Sequence, residues 1–202
     1  MRRDVSAADG AQPVSEAEAV AFAPADASAL REAGWTLLRL PAGLTLAGLR
    51  VGSAPFKGTR YFDQQAPATA ERTTVATDVA YKPALLPGSF NRPFADAARL
   101  LDEMLAHLPP GVAATIGPAA AYVWLLEQHR AATGAYPFAQ LFAWAVDEYQ
   151  ARARLVVGVF GQQRPLLVAP LVEGRGGGVG VWPLLVPRAA LPALWPLAPP
   201  PA

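Results

Sequence analysis

The stretch RLVVGVFGQQRPLLVAPLVEGRGGGVGVWPLLVP, residues 154–187, decides the predicted fold. It contains three short apolar segments, RLVVGVF, RPLLVAPLV and VGVWPLLVP, which are separated by GQQ and EGRGGG. Short apolar runs bounded by glycine and polar residues are typical of β-strands, and strands that are apolar at nearly every position are covered on both faces. The C-terminal third is therefore predicted to form an antiparallel β-meander.

Two amphipathic segments upstream of the meander are predicted to form helices. Residues 92–108 carry an apolar stripe at helical spacing, with Asn91 as N-cap and a proline pair at 109–110 as the end. Residues 118–134 begin with a proline and end at Gly134, and their apolar face contains Tyr122, Leu125, Leu126 and His129. These two helices are predicted to cover one face of the sheet.

The remaining segments are short. Residues 26–34 predict a helix, and residues 35–40 and 44–51 predict strands joined by a turn at 41–43. Residues 73–82 alternate and predict a further strand. Residues 138–151 fit a helix or a strand, and their alanines favour the helix slightly.

Together these elements predict an α+β fold: one domain over residues 26–188, with a mostly antiparallel sheet and a C-terminal β-meander packed by two or three helices. Residues 1–25 have little periodicity and predict a flexible leader, whereas residues 189–202 form a proline-rich tail.

Composition excludes several classes of protein. The chain is 52% hydrophobic and 16% charged, so it does not have the composition of a disordered protein. A net charge of +1 with only two lysines, Lys57 and Lys82, disfavours nucleic acid as a partner. No cysteine is present for disulfides, thiolate chemistry or zinc. Proline and glycine at 109–110 and 117–118 interrupt the longest uncharged span, which predicts a cytoplasmic protein without a membrane segment.

The glycine stretch EGRGGGVGVW, residues 173–182, looks at first like a nucleotide-binding signature. Its spacing departs from GxGxxG, because Val179 stands where the third glycine belongs, and no GK[ST] follows. A predicted strand follows in place of a helix, so no helix N-terminus would meet a phosphate. The stretch predicts a hairpin connection, with Arg175 at its tip as a possible anion contact.

Other chemical groups form no recognisable catalytic set. His107 and Glu103 are spaced for half a metal site, but a lone pair favours a solvated helix face, so no metal and no cofactor are predicted. Ser89 lacks the GxSxG context of a nucleophile and is explained by a turn before a helix. The adjacent acidic pairs 102–103 and 147–148 point in different directions, and both are predicted to be solvated.

Polar residues in loops are the remaining candidates for a ligand site. The segment KGTRYFD, residues 57–63, combines charges and aromatic rings in a chain that is poor in charge. The candidate ligand-binding residues are Lys57, Arg60, Asp63, Asn91, Arg92 and Arg175. The alternative is that these loops are hydrated and bind nothing.

Two functions from different classes follow. The first is a non-enzymatic interaction or structural module, because catalytic sets are missing and the C-terminal strands are strongly apolar. A homodimer or another protein partner would cover an open face, and the predicted contact includes Val181, Trp182 or Leu184. The alternative is a small metal-independent enzyme or binder of an anionic small molecule, which would use the loop residues Arg60, Arg92 and Arg175.

Overall fold

Helices and strands alternate irregularly along the chain in the computed structural model, which describes residues 19–52, 74–138, 140–150, 153–159, 166–172 and 177–194. The helices are α1 Pro24–Glu32, α2 Leu46–Gly52, α3 Phe94–Leu105, α4 Ala119–Thr133 and α5 Leu191–Leu194. The strands are β1 Thr36–Leu40, β2 Thr77–Tyr81, β3 Val112–Thr115, β4 Phe142–Gln150, β5 Ala153–Val159, β6 Leu166–Val172, β7 Val179–Gly180 and β8 Leu184–Pro187, and a 3-10 turn covers Arg188–Ala190. The α+β class predicted from the sequence is confirmed.

The first sheet, sheet A, has the strand order β1–β2–β8–β3, and every pairing in it is antiparallel. Its register aligns Leu37 with Ala80, Ala80 with Leu185, and Leu185 with Ala114. Because side chains alternate along a strand, these four residues share one face of the sheet. We call this face the outer face of sheet A.

The outer face of sheet A is covered by α1 and by the end of α3. Leu30 of α1 is 1% exposed and belongs to the same apolar cluster as Ala80 and Leu185, and Met104 and Leu108 pack against that cluster. The opposite face, which carries Val79 and other buried residues, faces the main core of the protein. Both faces of sheet A are therefore packed against other parts of the protein, although Thr36 and Arg39 of the edge strand β1 are exposed.

The second sheet, sheet B, has the order β6–β5–β4–β7. β5 and β6, the first two strands of the predicted meander, pair antiparallel. β4 pairs antiparallel with the other side of β5, whereas β7 pairs with β4 in parallel. Helix α4 contacts β4, β5 and α2, and its residues from Ala119 to Val123, together with Leu125 and Leu126, are buried. Of the predicted apolar face of α4, Tyr122, Leu125 and Leu126 are thus buried and His129 is half-buried.

The predicted third strand of the meander, residues 179–187, is divided between the two sheets. β7 lies at the edge of sheet B, residues 181–183 cross over, and β8 lies between β2 and β3 in sheet A. The interruption at Pro183 fits this division, since proline cannot donate a hydrogen bond within a ladder. The glycine stretch is not a hairpin connection either, because β6 and β7 lie at opposite edges of sheet B.

Two other predictions from the sequence were wrong. Residues 46–52 form helix α2 and not a strand, and Thr45 begins it by accepting a hydrogen bond from the Gly48 N–H at 2.9 Å. Residues 142–150 form strand β4, although their alanines favour a helix slightly. Pairing with β5 and β7 on both sides outweighs that weak intrinsic preference.

Ordered elements also occur near both predicted domain boundaries. Val20 forms a parallel bridge with Thr77, and the Phe22 N–H donates to the Asp78 carboxylate at 3.0 Å. At the other end, Leu194 of α5 is 2% exposed. The domain boundaries themselves stay a prediction.

Candidate binding cavity

Four of the six ligand-binding residues predicted from the sequence, Lys57, Arg60, Asp63 and Arg175, lie outside the described residues. Asn91 and Arg92 are described, and both are exposed at the start of α3. A ligand site formed by these six residues therefore stays a prediction.

Asn91 has a structural role at this position. Its φ of 58° is left-handed, its N–H donates to the Val179 carbonyl at 2.9 Å, and its Oδ1 accepts a hydrogen bond from the Gly178 N–H at 2.7 Å. These two bonds attach the segment before α3 to the start of β7. Asn91 is not the N-cap of α3, because that position is occupied by Pro93.

Ser89 is fully buried and both hydrogen-bonding functions of its hydroxyl are used. The Oγ donates to the Leu86 carbonyl at 2.6 Å and accepts from the Val181 N–H at 2.9 Å. Gly180 lies so close that a Cβ there would be 2.9 Å from this Oγ. The serine fastens the turn before α3 to the crossing segment 181–183, as a structural residue does.

Asp147 contradicts the prediction of a solvated carboxylate. It is 2% exposed, and its Oδ2 accepts a hydrogen bond at 2.6 Å from the backbone N–H of Ala119, the first residue of α4. Negative charge at a helix N-terminus is favourable because the N–H groups there lack intrahelical partners. No nearby residue signals this role, since 28 positions separate the two partners.

Trp182 is the centre of a buried aromatic cluster on the crossing segment. Its ring stacks on Tyr122 with centroids 5.3 Å apart and meets Tyr81 and Phe138 edge to face at 5.6 and 5.2 Å. The Tyr122 hydroxyl donates to the Trp182 carbonyl at 2.6 Å and accepts from the Gly117 N–H at 2.8 Å. Burial raises the pKa of Tyr122 well above its ordinary value.

The predicted dimer contact is corrected by this cluster. Val181, Trp182 and Leu184 are between 0% and 1% exposed within a single chain, so they are not available to a second copy in this fold. The apolar C-terminal strands are covered because β8 enters a different sheet from β5 and β6. The sequence pattern could not reveal that division.

His129 extends the cluster through Tyr81, which is buried, whereas His129 itself is half-buried. The Tyr81 hydroxyl and His129 Nδ1 are 3.2 Å apart, and the two rings are nearly perpendicular. Burial raises the pKa of Tyr81 and lowers the pKa of His129, because it disfavours the charged form of each group.

A cavity of about 490 Å³ opens beside the end of α3, and most of its lining is apolar. Its walls come from the residue before β1, the segment after β2, the last turn of α3 with the residues after it, and the crossing segment. The lining residues are Trp35, Lys82, Ala84, Leu85, Leu86, Pro87, Met104, His107, Leu108 and Pro183.

The polar groups of the cavity are few. Lys82 Nζ lies 5.0 Å from the centroid of the Trp35 ring, which is a cation–π contact. His107 is the other lining residue with a charged or titratable side chain, and both residues are exposed. No acidic side chain is among the lining residues in the part of the chain that the structure describes.

Two hydrogen bonds attach the cavity wall to the core. The Trp182 Nε1–H donates to the Lys82 carbonyl at 2.7 Å, and the Leu86 N–H donates to the Val181 carbonyl at 2.7 Å. The wall after β2 is thereby fastened to the crossing segment at both of its ends. This arrangement makes the cavity a preformed feature of the fold.

Within residues 19–52, 74–138 and the four shorter described segments, no helix is both long and apolar enough to cross a membrane. The same residues contain no group of three or more histidine, aspartate or glutamate side chains placed to hold a metal ion.

Comparisons of the chain with protein-family models, with curated proteins and with solved structures found no match.

Proposed function

We propose that the protein is a non-enzymatic binding module whose cavity takes a small, largely apolar molecule. The observation that carries this proposal is the cavity of about 490 Å³ with eight apolar residues among the ten that line it. Small-molecule sites typically measure about 300–1,000 Å³ and combine an apolar lining with a few polar groups. The attachment of the wall to the Trp182 cluster supports a site formed before the ligand arrives.

Two described hydroxyl groups that could perform chemistry are already engaged in structural hydrogen bonds, which favours a binding module over an enzyme. Ser89 has both hydroxyl functions engaged with the backbone, and the Tyr122 hydroxyl likewise donates and accepts within the core. The alternative proposal is a small metal-independent enzyme or anion binder that uses Arg60, Arg92 and Arg175. Arg92 is not among the residues that line the cavity.

We also propose a cytoplasmic location, which the absence of cysteine from the sequence supports.

The test of the proposed function fills the cavity from its rim. Ala84 is an exposed lining residue, so Ala84→Trp places a large side chain in the cavity without removing a core residue. The matched control is Ala95→Trp, at an exposed position on α3 outside the lining. Titration with the neutral fluorescent probe N-phenyl-1-naphthylamine should give binding in the wild type and in Ala95→Trp. Binding to Ala84→Trp should be weaker by about tenfold, which corresponds to about 1.4 kcal/mol. Equal probe binding by all three proteins would contradict the proposal.

The second candidate function is the homodimer predicted from the sequence, but with the contact between the two copies at β6 and not at residues 181–184. Among the described residues, β6 has a strand neighbour on one side only, and Val172 at its end is 45% exposed. An edge strand offers unpaired backbone groups, and a second copy related by two-fold symmetry would pair with it.

Light scattering tests this candidate directly. The wild type should show a doubled mass at tens of micromolar, and Val172→Lys should return it to a monomer. Phe90→Lys is the matched control, because Phe90 is also a large exposed apolar residue, 38% exposed, but lies outside every described strand. A monomeric wild type would exclude the β6 dimer.

A further inference from the structure

We infer that the ligand of the cavity is amphipathic and carries one carboxylate group, which Lys82 binds. This inference rests on the proposed function and adds to it the chemical class of the ligand. It follows from the charge of the cavity, the number of its cationic groups and the distribution of apolar residues around them.

The positive charge of Lys82 has no counter-ion among the described residues. In that part of the chain, no carboxylate lies within salt-bridge distance of its ammonium group, and the cavity lining contains no aspartate or glutamate. The contact with Trp35 occupies one side of the ammonium group, which has three N–H donors. Donors therefore remain for an anion that approaches through the cavity.

The number of cations favours a carboxylate over a phosphate. One lysine balances the single charge of a carboxylate, whereas a phosphate monoester carries about −1.5 to −2 charges at neutral pH. Phosphate sites commonly use the planar fork of arginine, and no arginine is among the described residues that line this cavity. The imidazole of His107 is a second group in the lining that can donate a hydrogen bond to a carboxylate.

The remaining lining residues fit an apolar body attached to that head group. Leu85 is buried, and Leu86, Met104 and Leu108 are half-buried with side chains that contain no hydrogen-bonding N–H or O–H group. A hydrocarbon chain or ring against these residues leaves water, which is favourable by about 25 cal/mol for each Å² of apolar surface. A ligand that is polar throughout would lose its hydration along this wall without replacement.

The test compares three ligands that share one apolar body: octanoate, octanol and octyl phosphate. Each is titrated by displacement of N-phenyl-1-naphthylamine from the wild type, from Lys82→Met and from Arg92→Met. Methionine keeps an unbranched apolar side chain over Trp35 and removes the charge. Arg92→Met removes an exposed cation outside the cavity and tests the alternative anion site at the loop arginines.

The wild type should bind octanoate more tightly than octanol by about 1.4-fold to fivefold, the range expected for one exposed ion pair. Lys82→Met should bind the two ligands equally, and Arg92→Met should keep the preference. Equal affinity of the wild type for octanoate and octanol would overturn the carboxylate inference and leave the proposed function standing. Tighter binding of octyl phosphate would also overturn it, and loss of the preference in Arg92→Met would assign the anion to the loop arginines. Failure of the wild type to bind the neutral probe would overturn the proposed function itself.

Discussion

The carboxylate of Asp147 on β4 accepts a hydrogen bond at 2.6 Å from the backbone N–H of Ala119, the first residue of α4. Pro118, the N-cap residue of that helix, makes no side-chain capping bond, so a strand of sheet B supplies the cap. The bond fixes the start of α4 against β4. It joins helix and sheet at a point where both are buried.

Replacement of Asp147 by alanine is expected to lower the free energy of unfolding by about 1–3 kcal/mol. The reason is that the buried N–H of Ala119 loses its partner, and the favourable charge at the helix N-terminus is removed as well. Urea denaturation followed by circular dichroism measures the change. Asp102→Ala, on the exposed side of α3, is the control and should stay within about 0.5 kcal/mol of the wild type. An equal effect of the two substitutions would contradict the capping role.

Local periodicity was sufficient to predict α3, α4 and β2, because their apolar positions repeat within one element. The place of β8 between β2 and β3 was not predictable in this way. It depends on pairing between residues such as Ala80 and Leu185, which are far apart in the chain. The helix at 46–52 does have a local signal, the cap at Thr45, which the prediction of a strand at 44–51 did not use.

The candidate cavity was beyond prediction from the sequence for a related reason. Trp35, Lys82, Met104 and Pro183 come from four separate segments, and each is unremarkable in its own segment. Lys82 is the last residue of the predicted strand 73–82, where a single cation is ordinary. The inference about the ligand depends on the fact that no described carboxylate pairs with Lys82. That fact is a property of the assembled fold and not of the sequence around Lys82.

Trp182 is expected to be essential for stability and not for association. Trp182→Ala should cost roughly 3–5 kcal/mol, because the ring is 1% exposed and contacts three other aromatic rings. Trp182→Phe keeps much of the ring packing but loses the bond to the Lys82 carbonyl, so it should cost about 1–3 kcal/mol. Chemical denaturation measures both, and light scattering should show that Trp182→Phe keeps the mass of the wild type. A change of mass without a loss of stability would restore the interface role.

Stability should fall as the pH drops below about 6.5, in part through His129. Burial lowers the pKa of His129 in the folded protein, whereas in the unfolded chain its pKa is 6.5. As the pH falls, the unfolded chain therefore binds a proton before the folded protein does, and unfolding is favoured. The contribution of His129 to stability is complete above pH 6.5 and is lost as the pH falls through the pKa of His129 in the folded protein. Urea denaturation across this range should show a smaller slope for His129→Gln than for the wild type. Identical slopes would mean that the imidazole is as solvated in the fold as in the unfolded chain.

Two glycines, Gly158 and Gly177, should respond differently to substitution by alanine. Gly158 of β5 lies opposite Phe142 of β4, and a Cβ there would collide with the Leu141 carbonyl oxygen and lie 2.9 Å from the Phe142 Cα. These are backbone atoms, so the strands must separate, and Gly158→Ala should cost about 1–3 kcal/mol or more. A Cβ at Gly177 would meet no atom of the described residues within 4 Å, and the φ of this residue is not left-handed, so Gly177→Ala should change stability by no more than about 0.5 kcal/mol. Denaturation of the two variants side by side checks both values. A destabilised Gly177→Ala would show that the glycine stretch is packed at this position. A tolerated Gly158→Ala would contradict the close pairing of β4 and β5.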